Sequence, residues 1–286
     1  MTLQEWVQKA EAQLRCGPHA DRARRDAQAL LLHAIRRERA ALLASWDEVL
    51  DAERAIRYEA LIKRRLAGEP IQYILGEQEF YGLPFRVTPD VLIPRPETEH
   101  LVENVIEWVA KIAYPRIVDV GTGSGAIAVA LAHHLPQANV VATDLSAPAL
   151  AVAEENAKRN GVAIRFLQGD LLAPVDGETF DIIVSNPPYV AGSDRHSMSV
   201  EVREYEPSLA LFSGADGMEL YRRLIPAAFK GLTPGGLLAL EFGYGQTADL
   251  VELLAKAGFK PIEIFPDLQG IARVAFAWRP CRINGG

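Results

Sequence analysis

Cysteine is nearly absent from this chain: Cys16 and Cys281 are the only two in 286 residues. They lie far apart with no CxxC pair, which excludes a disulfide framework and a cysteine metal site. Histidine is scarce as well. The six residues show no HExxH spacing, and the adjacent pair His133-His134 reads as the exposed end of a helix, so no metal is expected. No apolar run approaches the length of a membrane span. The opening Met1-Thr2-Leu3-Gln4-Glu5-Trp6 has no basic lead and apolar block, so the chain is read as cytoplasmic with no membrane association. Positive charge is also in short supply. With 30 Lys and Arg against 37 Asp and Glu, the formal net charge is -7, which argues against a large nucleic-acid footprint. Residues 1–75 depart from this balance, holding 13 basic against 11 acidic side chains.

What the chain has is apolar content, 49% over 286 residues, enough for one large domain and a small one. Leu3, Trp6, Val7, Ala10 and Leu14 recur at helical spacing behind a Thr2/Glu5 capping pattern. Ala27, Leu30, Leu31, Ala34 and Ile35 mark a second helix, and the stretch from Asp51 to Leu66 marks another. Residues 1–75 therefore read as a small helical bundle. Residues 76–96 turn to glycine, proline and alternating apolar positions, as in a β-hairpin or linker. From 97 to 286, strands and helices alternate, the pattern of a doubly wound α/β sheet. Apolar runs begin at Ile117, Val140, Ile164, Phe180 and Leu237, with helical patterns between them. Two final strands, Lys260 to Phe265 and Ile271 to Trp278, are joined too closely for a parallel crossover and are expected to pair antiparallel.

Two stretches carry chemistry. Asn186-Pro187-Pro188-Tyr189 follows the buried-strand run Phe180 to Ser185 and so falls at a strand's carboxyl end, where open α/β sheets bind ligands. Proline has no N–H, so acceptors outnumber donors here. Asn186 offers a side-chain carbonyl, Pro187 and Pro188 offer backbone carbonyls, and Tyr189 offers an aromatic face. A planar group with an NH2 to donate fits that set, although an Asn-Pro dipeptide also marks ordinary turns. The second stretch, Gly121-Thr122-Gly123-Ser124-Gly125, joins a strand to a helix and brings backbone N–H groups close to a ligand. Through Ala126 it also matches a dinucleotide fingerprint, and Asp144 at the next strand's end suits a ribose in either setting. Asp170 after the third strand and the acceptor cluster after the fourth favour a nucleoside-type methyl donor over a dehydrogenase, which would need a hydride partner and a proton donor.

On these stretches, together with Ile93-Pro94-Arg95-Pro96-Glu97-Thr98-Glu99, Tyr205-Glu206-Pro207, Phe212 to Gly217 and Asp267-Leu268-Gln269-Gly270, the chain resembles the HemK/PrmC family. These are the peptide chain release factor glutamine N5-methyltransferases. The resemblance implies a Rossmann-like S-adenosylmethionine-dependent methyltransferase: a seven-stranded, mostly parallel sheet with the last strand antiparallel, preceded by a helical substrate-recognition domain. It implies S-adenosyl-L-methionine as cofactor, S-adenosyl-L-homocysteine as product, and transfer to the glutamine of the release factors' Gly-Gly-Gln motif. It also implies site roles. Gly121 to Gly125, Asp144, Asp170, Leu171 and Asn186 would bind the cofactor, and Asn186 to Tyr189 would hold the glutamine, with Asn186, Pro187 and Tyr189 at the chemistry. Two positions depart from the family pattern: Leu171, where some relatives have an aromatic, and Ala215, where a glycine is expected. Two other substrates use the same acceptor logic, a ribosomal-protein glutamine and an amino nitrogen of a nucleic-acid base. The chain is expected to act as a monomer.

Overall fold

The computed structural model describes residues 1–38 and 45–281. They fall into two units, and the division does not follow the order of the chain. One unit is Met1–Glu77 with Met198–Tyr205, and the other is Gln78–Ser197 with Glu206–Gly286.

The first unit is helical: α1 Leu3–Leu14, α2 Ala23–Ile35, α3 Ala52–Leu66 and the single turn α4 Ile71–Leu75. Thr2 and Glu5 form the expected capping box, each side chain accepting the other residue's backbone N–H. The apolar stripes of the helices close on Leu3, Val7, Leu30, Leu31, Tyr58 and Ile62. At one end of this core lies Arg65, only 1% exposed, whose Nε donates to Asp26 at 2.6 Å and whose Nη1 donates to the Glu69 carbonyl at 2.9 Å. The second carboxylate on Arg65 comes from Glu201, in the short helix α8 Val200–Tyr205. Helical periodicity alone gives no hint of this. A six-residue helix inserted between two strands of the other unit is held here by a buried charge that requires a counter-charge.

The second unit starts one residue into the hairpin β1 Glu77–Phe80 and β2 Leu83–Arg86, followed by α5 Pro96–Val109. β3 Arg116–Val120, β4 Asn139–Asp144, β5 Arg165–Gln168, β6 Phe180–Ser185, β7 Leu232–Glu241, β8 Ile262–Pro266 and β9 Ala272–Trp278 form one sheet in the order β5-β4-β3-β6-β7-β9-β8. The pairs from β5 to β7 are parallel, and β9 runs antiparallel to both of its neighbours. Side chains of the central strands alternate between two cores. Ile117, Ile182 and Val184 join α5 and α6 (Ala126–His134) on one face, whereas Val118 and Ile183 join α9 (Glu219–Gly231) and α10 (Thr247–Ala257) on the other. Covering both faces explains the unbroken apolar runs. α7 Ala147–Arg159 buttresses the glycine loop: the Asn156 amide donates to Ser124 O at 2.8 Å and to Arg86 O at 3.0 Å.

The chain winds one way from β3 through β4 to β5, and the other way from β6 to β7. The order therefore reverses between β3 and β6, the place where open α/β sheets leave a crevice at the strands' carboxyl ends. β7 starts at Leu232, earlier than its apolar run, because Thr233-Pro234-Gly235-Gly236 is absorbed in a register shift opposite Phe180 to Ile182.

Candidate active site

That crevice is a cavity of about 330 Å3. Gly121, Thr122, Gly123 and Ser124 from the loop after β3, Asp144 after β4, Asp170 and Leu171 after β5, and Asn186, Pro187 and Pro188 after β6 all line it. Residues read as two motifs in the sequence thus share one wall-to-wall space. Gly125 does not line the cavity but is required behind it. It has φ 80°, and a Cβ there would sit 3.2 Å from the Ala153 Cα. Gly121 (φ 73°) and Gly123 (φ 56°) are left-handed too, and a Cβ on either would meet no protein atom within 4 Å. The loop therefore presents bare backbone to open space.

Asp144 is oriented from behind. One carboxylate oxygen accepts the Gly123 N–H and the other accepts the Ser146 N–H, both at 2.8 Å. Each oxygen keeps a lone pair for a ligand hydroxyl. Asp119, one strand over, is fully buried and accepts the Thr122 hydroxyl at 2.7 Å, holding the same loop. Burial pushes its carboxyl up to about 7, with the negative charge of Asp144 adding to the rise and the Thr122 and Ala128 hydrogen bonds opposing it.

At the other end, the Asn186 amide donates to Thr98 Oγ1 at 3.1 Å. The backbone that follows is pinned: Val190 N donates to Leu211 O at 2.9 Å, and Ser213 N donates to Val190 O at 3.0 Å. Arg95 of the Pro-Arg-Pro stretch lines the cavity and is clamped by both oxygens of buried Glu206, at 2.6 and 2.8 Å.

One of the residues read from the sequence lies outside the cavity lining. Tyr189 turns away from the cavity lining. It packs against the core on the α9 and α10 face of the sheet, and its ring lies so close to Gly243 that a Cβ there would be 2.9 Å from it. Its carbonyl accepts from Gln246 at 2.9 Å, and burial pushes its phenol up to about 12. The fourth residue of the tetrapeptide thus anchors the loop in the core. Asp170 lines the cavity but directs its carboxylate to Arg223 as an exposed ion pair. Leu171, by contrast, is held at φ 50°, a conformation rare for leucine, with its carbonyl accepting from Thr143 Oγ1 at 2.9 Å. Ala215 is exposed and outside the left-handed region, so a side chain fits there without strain.

Four polar residues escape a reading of the sequence: Thr98, Asp119, Glu241 and Gln246. Asp119 and Glu241 each leave a trace, a single carboxylate inside an otherwise apolar strand run. Among the described residues no group of three or more His, Cys, Asp or Glu side chains could hold a metal, and no helix is long and apolar enough to cross a membrane.

Comparisons with known proteins agree with this architecture. Residues 5–76 match the PrmC N-terminal domain, and residues 98–203 match the Methyltransferase small domain. A release factor glutamine methyltransferase from Moorella thermoacetica is 45% identical over 282 residues, covering 98% of this chain and 99% of the relative. Another from Burkholderia pseudomallei is 46% identical over 257 residues, covering 87% and 90%. Among solved structures, a methyltransferase from Pyrococcus furiosus shares the fold with a TM-score of 0.52 at 21% identity, covering 70% of this chain and 90% of that one. The chain belongs to the family of release factor glutamine methyltransferases.

Proposed function

We propose that this enzyme transfers a methyl group from S-adenosylmethionine to the side-chain amide nitrogen of the glutamine in the Gly-Gly-Gln motif of peptide chain release factors. The observation that carries the reading is the shared cavity, with a glycine loop and an oriented carboxylate at one end and an acceptor cluster at the other. The cofactor end fits its occupant. Left-handed Gly121 and Gly123 leave room for it, the Asp144 oxygens are aimed for a ribose diol, and Ile127, Leu145 and Leu171 supply apolar wall for a base. When bound, S-adenosylmethionine supplies an electrophilic methyl group on a sulfonium.

An amide nitrogen is a weak nucleophile because its lone pair is delocalised into the carbonyl. Asn186 Oδ1 and the Pro187 carbonyl accept its two N–H hydrogens and favour the pyramidal, more positive nitrogen of the transition state. Bound S-adenosylmethionine would supply the methyl group and its sulfur would keep the electron pair, and the methylated, acidified nitrogen held by Asn186 and Pro187 would lose its proton to water. No side-chain base is required. The cavity walls contribute alignment, which a reaction between two bound groups can exploit heavily.

The helical unit and the Pro94–Pro96 stretch are assigned to recognition of the whole release factor, and the enzyme is assigned to the cytoplasm as a monomer that does not bind nucleic acid. The test is transfer of labelled methyl to purified release factor, ribosomal subunits and an adenine-containing oligonucleotide in parallel. Label is expected on release factor alone. Label on a ribosomal protein or on the oligonucleotide, with release factor bare, would replace this reading.

A further inference from the structure

Asn186 is useful as an acceptor only if its amide faces the right way. An asparagine side chain carries one oxygen and one NH2, and a flipped amide would oppose two donors to the substrate's NH2. Something on the protein side must select the orientation.

The selecting groups are Thr98, in the cavity wall beside Asn186, and Glu241, which lies off the lining. Thr98, 4% exposed, sits 88 residues away in the chain and accepts from Asn186 Nδ2 at 3.1 Å. Glu241, 2% exposed at the end of β7, has Thr98 and Asn186 as polar neighbours that favour its ionised form, while its Oε2 has no partner among the described residues. The Glu241 backbone is fixed as well, its carbonyl accepting from Tyr221 Oη at 2.8 Å. An ionised carboxylate only accepts, so it tolerates the NH2 of Asn186 and rejects the oxygen. Thr98 can accept from Asn186 while donating its own proton to Glu241.

We propose that Thr98 and Glu241 are positioning residues for methyl transfer: they take up the two N–H groups of Asn186 and leave Oδ1 as the atom presented to the substrate nitrogen. The inference rests on the reading of Asn186 as the substrate's acceptor and extends it to two residues from other segments. Neither residue needs to touch substrate. Burial pushes the Glu241 carboxyl up to about 7, Glu97 adds to the rise, and Thr98, Arg273 and Asn186 oppose it; the phenols of Tyr189 and Tyr221 also face the group. The orienting, acceptor-only form therefore predominates above about 7.

The test combines single-turnover rates, cofactor affinity and a double-mutant cycle on the full chain. Thr98→Val keeps the shape and removes the hydroxyl; it and Glu241→Gln are each expected to lower the rate about tenfold or more, the scale at which supporting hydrogen bonds act. Cofactor affinity is expected to stay within about twofold. Thr98→Ser is expected to recover to within about threefold of the parent. The rate of the parent is expected to rise with pH through about 7, and Glu241→Gln to lose that step. In an Asn186→Ala background, Thr98→Val is expected to cost nothing more, because the group it acts through is gone. Parental rates in Thr98→Val and Glu241→Gln, or losses that add to that of Asn186→Ala, would overturn the proposal while leaving Asn186 in place. A parental rate in Asn186→Ala itself would overturn the underlying reading together with this one.

Discussion

The two ends of the cavity are built by the same device and reached by different routes through the chain. At the end proposed for the cofactor, Asp119 lies buried under the Gly121–Gly125 loop and holds it through Thr122, three residues away. At the end proposed for the substrate, Glu241 lies buried beside Asn186 and Thr98, which hydrogen-bond to each other. Each carboxyl is pushed up to about 7 chiefly by burial, and each keeps one oxygen, Asp119 Oδ1 and Glu241 Oε2, without a partner among the described residues. The difference is locality. The glycine-loop end is one strand, one turn and the tip of the neighbouring strand, whereas the Asn186 end draws on α5, β6 and β7. A local loop can be rebuilt by its own sequence; an acceptor cluster assembled from three distant segments depends on the whole sheet.

If the two ends are separable, their variants must fail differently. The largest effect is expected for Asn186→Ala, a fall of about 10²–10³-fold in single-turnover rate with cofactor affinity nearly intact, the usual cost of one lost transition-state partner. An equal loss of cofactor binding in calorimetry would merge the two ends. Asp144→Ala comes next. It is expected to weaken S-adenosylmethionine binding by about 1.5–3 kcal/mol, because it removes charged hydrogen bonds and frees the Gly123 and Ser146 amides. Its rate at saturating cofactor is expected to stay close to that of the parent, and NAD is expected not to bind.

The buried carboxylates sharpen the comparison through pH. Both are raised above their ordinary values, so protonation favours the folded state. The stability they contribute is fully present below about 4 and is lost as pH rises through about 7. Asp119→Asn removes one titration and is expected to flatten the decline of thermal stability between about pH 5 and 8, by an amount on the order of 2–4 kcal/mol. An unchanged slope in melting experiments would mean that Asp119 is ionised at little cost. The smallest effect is expected at Ala215. Ala215→Gly is expected to change stability and rate by less than about 0.5 kcal/mol, since the residue is exposed and unstrained.

Locality also explains which features are legible in the amino-acid sequence. The sheet, its antiparallel last strand and the glycine loop follow from contiguous patterns: apolar runs, glycines that need φ above zero, and an acid at the next strand's end. Asn186 is legible because prolines strip the donors from its own neighbourhood. Thr98 and Glu241 are visible only as members of a motif and of a strand run, since their role depends on Asn186, which neither adjoins. The setting of Tyr189 is hidden for the same reason, as its ring lies against Gly243 and its carbonyl accepts from Gln246. The helix Val200–Tyr205 escapes notice because its periodicity is too short to read, and its position is decided by Arg65 and Asp26, far away in the sequence. A chain cut before Gln78 would therefore lose the partners of that helix along with the helical bundle.

The most direct test of the reaction compares a purified release factor with one whose Gly-Gly-Gln glutamine is replaced, each incubated with the enzyme and methyl-labelled S-adenosylmethionine and then mapped by peptide mass spectrometry. The expected result is a single methyl group on that glutamine side chain in the first and no label in the second. Equal labelling of both, or a methyl group mapped to any other residue, would contradict the assignment of the Asn186 cluster as a glutamine-amide site.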